Sequence, residues 1–222
     1  MKRLLLLLLW LSLPITGCSL FEDDPEPGPN EISGSTADVE YAKQGTQYYV
    51  YASLDGVDLG AKLDTCYITK NDNGIVTVVL KIDVSKVDPI LKAFIPKDRL
   101  DAEGNINTEI HFKATSEGIQ DYYYSNGNFD KPFTIIKHEW GVGQKWSFTT
   151  DDGKTINREV TEKTGLDEWP LGFFLIKTTK TEETTPAVDG VKRVIFRTNH
   201  KFGLVYLEYQ LVTGQNIKIS IM

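Results

Sequence analysis

The fourteen residues "NDNGIVTVVLKIDV", Asn71 to Val84, decide the fold class. Val76, Val78, Leu80, Ile82 and Val84 alternate with Ile75, Thr77, Val79, Lys81 and Asp83. A period of two sends successive side chains to opposite sides of a strand, so one face is wholly apolar and the other turns polar toward its end. Asn71 to Gly74 carry turn chemistry, because Asn and Gly tolerate the positive φ that a tight hairpin requires. The run Lys62 to Lys70 is then the hairpin partner.

Working outward, further strands are predicted at Gln47–Leu54, Asn107–Ala114, Phe133–His138, Lys145–Thr149 and Thr155–Glu162. Four more follow at Phe173–Thr181, Val191–Thr198, Leu204–Leu211 and Asn216–Ile221. Asp151-Asp152-Gly153 and Val212 to Gln215 read as hairpin turns. One segment alone looks helical: Asp88 caps it, Pro89 suits the first turn, Ile90, Leu91 and Phe94 are apolar, and Pro96 stops it. This pattern predicts a mainly β protein, an antiparallel curved sheet of half-barrel or sandwich-like form with one short helix.

The amino terminus is of another kind. Lys2 and Arg3 precede an apolar run from Leu4 to Leu13 that only Ser12 interrupts. That run falls short of the roughly 20 residues of a membrane span and reads as the core of a signal peptide. It leads to Ile15-Thr16-Gly17-Cys18, "ITGC", which resembles the bacterial lipobox. The resemblance implies cleavage before Cys18 and lipidation of its thiol. The predicted organisation is therefore a signal peptide over 1–17, a lipid anchor and acidic disordered tether over 18–40, and a β-rich domain over 41–222. Within that domain, two sub-units sharing a sheet would meet near 139–144.

The tether holds seven acidic residues and no basic one up to Glu40, with Pro25, Pro27, Gly28 and Pro29 among them. Such a segment buries too little apolar surface to offset its ordering entropy. Its "FEDD" (Phe21–Asp24) resembles the acidic export signals of surface lipoproteins in the Bacteroidota, and a solvated linker accounts for the same residues. The order "GQKWSF", "GFFLIKT" and "NHKFGLVYLEYQL", from Gly143 to Leu211, resembles a C-terminal module of Bacteroidota lipoproteins of unknown function. That likeness implies a curved antiparallel sheet and transfers no activity. Location follows from the anchor: the outer membrane, at its periplasmic face or the cell surface.

Composition narrows the function. Of 24 basic residues, Lys2 and Arg3 leave with the leader, so 22 face 31 acidic ones, near −9. Nucleic-acid binding needs a basic footprint and is not expected. Cys66 is the one cysteine after Cys18, so no internal disulfide forms; it reads as a buried strand residue or, alternatively, a reactive thiol. No nucleophile elbow, phosphate-cradling Gly-rich loop or paired-histidine zinc helix occurs, and neither a cofactor nor enzyme activity is expected. His111, His138 and His200 could converge as metal ligands only through the fold, and read otherwise as strand or turn residues. Asp101, Glu103, Asn105 and Asn107 make a hydrated turn or a departed calcium loop.

Aromatics are the positive hint. Tyr122, Tyr123 and Tyr124 run consecutively, so on a strand at least one faces solvent. Trp169 follows Asp167 and Glu168, an arrangement that could serve a sugar or a polar loop. These four are the candidate contacts for a protein, glycan or lipid ligand. Two functions stay open: a noncatalytic binding or assembly module at the envelope, and a carrier whose half-barrel encloses an apolar molecule. A filled core favours the first and a continuous apolar cavity the second.

Overall fold

The computed structural model describes residues 28–37, 39–58, 65–82, 101–125 and 127–222. The leader, Cys18, the tether to residue 27 and the helix expected at Asp88 to Pro96 lie outside the described residues. In chain order the strands are β1 (Val50–Leu54), β2 (Val57–Asp58), β3 (Thr65–Asp72), β4 (Ile75–Ile82) and β5 (Ile106–Ala114). They continue as β6 (Gly118–Asp121), β7 (Phe133–Lys137), β8 (Lys145–Thr149), β9 (Thr155–Lys163) and β10 (Trp169–Leu171). The last are β11 (Phe174–Ile176), β12 (Thr179–Thr184), β13 (Val191–Asn199), β14 (Gly203–Leu211) and β15 (Asn216–Ile221). Short 3-10 turns cover Glu40–Ala42 and Tyr123–Ser125. Among the described residues no helix is long and apolar enough to cross a membrane.

All pairing is antiparallel and neither large sheet closes on itself, so the mainly β, sandwich-like expectation holds. The deciding hairpin forms with a tighter turn than read, since Asn71 and Asp72 belong to β3. Asp72 pairs with Ile75 across Asn73 and Gly74, whose φ angles are 50° and 88°, and Val76 and Val78 are buried. Gly74 is needed for space as well, because a Cβ there would lie 3.0 Å from the Ala114 carbonyl oxygen. This hairpin opens a five-stranded sheet, β3-β4-β5-β6-β7. Strand β6 is absent from the periodic reading because its buried Gln120 is polar. Gly118, which begins β6, has no room for a side chain: a Cβ would lie 2.2 Å from the Ile136 oxygen.

The other large sheet has the order β2-β1-β15-β14-β13-β12-β9-β8. Strand β1 joins it by pairing Val50 with Ile221 through Leu54 with Ile217. Strands from both sides of residues 139–144 thus share this sheet, β1 and β2 from before and β8, β9 and β12 to β15 from after, while the five-stranded sheet uses earlier residues alone. One core joins the two sheets: Ile68, Val76, Ile119, Phe133 and Ile136 meet Trp146, Phe148, Ile156, Val160, Val194 and Phe196. Phe133 stacks on Phe148 at 5.2 Å, and Trp146 Nε1 donates to the Thr134 carbonyl at 2.7 Å. Each such side chain contributes roughly 1.5–3 kcal/mol of transfer free energy.

The segment Phe173–Thr181, expected as one strand, is two. Strand β11 pairs with β10 in a two-stranded ribbon, and β12 enters the large sheet beside β9.

The spacer expected over 18–40 also ends sooner than its composition implies. From Gly28 onward the chain lies on the domain as a strap. Asn30 accepts from Thr134 N (3.1 Å), donates to the Ser147 oxygen (2.9 Å) and receives Gln120 Nε2 on its carbonyl (2.8 Å). Ser33 gives its N–H and hydroxyl to Glu117, and Ile32, Val39 and Tyr41 are buried. Low hydrophobicity flagged the segment as unable to fold alone. The strap is held by hydrogen bonds to a neighbour that composition cannot register.

Candidate functional site

Strand β7 is buried along its whole length and ends in Lys137, after which the chain turns through His138, Glu139 and Trp140. Lys163 Nζ fastens that turn by donating to the carbonyls of His138 (3.0 Å) and Trp140 (3.2 Å). Trp140 leans on Trp146 with ring centroids 4.4 Å apart, which fixes its plane. Pro29 of the strap approaches from the other side. Between them lies an open groove of about 510 Å³, lined by Pro29, Glu117, Lys137, Glu139, Trp140, Gln144 and Lys145.

The floor of the groove is an ion pair. Lys137 Nζ is 3.1 Å from Glu117 Oε1, its side chain only 5% exposed, and it lies 5.7 Å from the Trp140 ring centre. Burial alone raises the Glu117 carboxyl, but hydrogen bonds from Ser33 and Lys137 outweigh it and hold the group below the ordinary range. The Glu117 carboxylate is therefore charged at neutral pH. A fixed aromatic plane beside a buried ion pair can stack a flat apolar face and bond hydroxyls around its rim.

Of the four aromatics expected to make contact, Tyr123 and Tyr124 stand edge to face at 5.0 Å, and the other two have different surroundings. Tyr122 is 4% exposed and stands edge-on to Phe129 at 5.0 Å, a core residue with its hydroxyl pushed up to about 12 by burial and then by Asp121. Tyr124 donates to Glu183 Oε1 between the sheets. Tyr123 alone of the triplet keeps most of its surface, 65%, and it does so on a 3-10 turn, not on the strand expected. Trp169 lies on the opposite face of the eight-stranded sheet, 4.1 Å over Arg197 and 5.3 Å from Tyr206. Cys18 lies outside the described residues.

Tyr124 belongs through Glu183 to a buried network around Arg158. Its guanidinium lies 2.8 Å from both Asp121 and Glu183 and donates to the carbonyls of Phe133 (3.3 Å) and Thr134 (3.0 Å). It is also 3.7 Å from the Phe133 ring centre and 4.8 Å from that of Phe196. Burial pushes the Glu183 carboxyl up, against the pull of Arg158. These two carboxylates converge on a shared cation in a sealed seam, which gives them a structural role.

Other expected ligands disperse. His138 stands near His200 and Lys163, and burial together with those charges lowers it to about 4. His111 sits on β5 beside Thr77 and Phe129. Among the described residues no three His, Cys, Asp or Glu side chains gather as a ligand set. Asp101 turns its carboxylate onto the N–H groups of Glu103 and Asn105, closing its own loop. Cys66 is half-buried against the core, and burial pushes its thiol up.

Trp140 was not singled out from the sequence. Its signal is slight: a large aromatic directly before Gly-x-Gly, between two strands.

No family model matches the chain, and no curated protein matches it. A solved structure does, over 81% of this chain and 94% of its own: a candidate exported protein with a YmcC-like fold from Bacteroides fragilis, at 12% identity and a TM-score of 0.39.

Proposed function

We propose that this chain is a noncatalytic binding module of the cell envelope. A lipidated Cys18 holds it at the outer membrane, and a saccharide occupies the groove beside Trp140. The observation that carries this reading is the groove itself, where an aromatic plane is ringed by Glu117, Lys137, Glu139, Gln144 and Lys145. A pyranose has that duality, an apolar C–H face and a rim of hydroxyls. Lys137 and Glu117 are occupied with each other at 3.1 Å. The carrier alternative asks for an apolar cavity between sheets, but Phe133, Phe148, Trp146 and Phe196 meet there.

The test is a fluorescence titration of the chain with soluble gluco-, manno- and N-acetylglucosamine oligosaccharides. Saturable quenching by one class, abolished in Trp140→Ala, supports the reading. No response from any of them, with the fold intact, sinks it.

A further inference from the structure

Among the described residues the ribbon β10–β11 carries the most exposed large apolar side chain, Phe173. It pairs with no third strand among the described residues. Its base is fastened: Trp169 lies on Arg197 and Tyr206, Ile176 is buried, and Glu168 N donates to the Ile176 oxygen at 3.3 Å. Its tip is not. Leu171 pairs with Phe174 around Gly172 and Phe173, and Phe173, Phe174 and Leu175 are 104%, 71% and 58% exposed.

Neighbouring side chains on a strand point to opposite sides. Phe174 and Leu175 therefore make the tip apolar on both faces. A protein surface docked against one face would leave the other in water. A bilayer interface surrounds both.

The length of the tether brings that interface within reach. Ten residues separate Cys18 from Gly28. Fully extended they span about 35 Å, less than the breadth of a domain whose radius of gyration is about 16 Å. A domain so held cannot leave the headgroups by more than its own width.

From these features we infer that the Phe173–Leu175 tip dips into the bilayer interface. It would be a second membrane contact that fixes the orientation of the anchored domain. The inference rests on the Cys18 anchor. Across the ribbon only the inward-facing backbone groups pair with each other, so its outer edges need water or headgroups and burial stays within the hydrated interface, about 5–10 Å deep. Asp167 and Glu168 are exposed at its base and stay on the water side.

The test places an environment-sensitive fluorophore at Phe173→Cys, in a Cys66→Ser background, on the full lipidated protein in vesicles with spin-labelled acyl chains. Val212→Cys, exposed in the β14–β15 turn of the eight-stranded sheet, is the control. Quenching at 173 should exceed that at 212 by about threefold or more. Equal quenching on protein that floats with the vesicles overturns the inference and leaves the anchor standing. Protein that fails to float overturns both. Shielding at 173 that tracks protein concentration, not lipid, assigns the tip to a second copy and overturns the inference. If Cys66→Ser does not fold, Phe174→Trp read with brominated lipid replaces the labelled pair.

Discussion

Arg158 and Arg197 stand on opposite faces of one sheet and do different work. Arg158, on β9, faces the five-stranded sheet, is 2% exposed, and is enclosed by two carboxylates, two carbonyls and two aromatic rings. Arg197, on β13, faces outward. It holds Glu162 in two hydrogen bonds of 2.7 and 3.0 Å and supports Trp169 on its flat side. Both arginines combine carboxylate and aromatic partners, so the chemistry is alike. Only the solvent differs. Inside the seam the charge is costly to leave unpaired, and outside it water can replace a lost partner. The inner arginine therefore bonds the two sheets together, and the outer one merely steers a ribbon.

The comparison breaks first at Arg158. Arg158→Ala leaves Glu183 and Asp121 beside a void, and the expected loss is about 3–5 kcal/mol, read as a lower urea midpoint. A loss below about 1 kcal/mol would mean that the seam admits water and the two faces are equivalent.

A smaller effect is expected from acid. His138 titrates at about 4 when folded, against an ordinary value of 6.5. Between those values the unfolded chain binds the proton and the folded chain does not, so stability is full above pH 6.5 and falls as pH drops toward 4. The loss is on the order of 2 kcal/mol after allowing for solvent screening. Thermal melts at pH 7 and pH 5 should show it, and His138→Gln should flatten that part of the difference.

Arg197→Ala should cost least, about 1 kcal/mol or less, because Glu162 is partly hydrated. Its effect is local: amide exchange of Trp169 to Ile176 should quicken while β7 and β9 keep their protection. If the whole domain loosened, the outer face would have to be counted as core.

The same pair shows why pattern reading stops where it does. Arg158, Val160 and Glu162 are spaced by two, so a regular strand would put all three on one face. Arg158 and Val160 do face the core. Between Val160 and Glu162, however, the pairing to Thr181 and Lys180 skips Thr161, and this bulge turns Glu162 outward to meet Arg197. Nothing in "NREVTEKT" announces the bulge. Strand β6 escaped notice for a related reason, since its Gln120 Nε2 donates to Asn30 and Thr134, residues distant in sequence. Tyr122 and Tyr124 looked available because a tyrosine triplet on a strand must show one ring. The chain instead makes a 3-10 turn that sends one hydroxyl to Glu183. The groove was unreadable, because Pro29, Glu117 and Trp140 become neighbours only when the strap is laid across the sheet ends.

What the sequence determined by itself is local. Alternation from Ile75 to Ile82, turn chemistry at Asn73 and Gly74, and an acid-rich composition with few ligand motifs specify an antiparallel β protein. Each of these acts over a few residues, through side-chain alternation or backbone φ, and needs no partner to be legible. Only the tertiary structure decided the rest: β1 completing the far edge of β15, the bulge at Thr161, the strap on Glu117, and the division of aromatics between seam, groove and ribbon. Those outcomes depend on hydrogen bonds and desolvation between residues far apart in the chain, and such energies exist only once the chain has closed on itself.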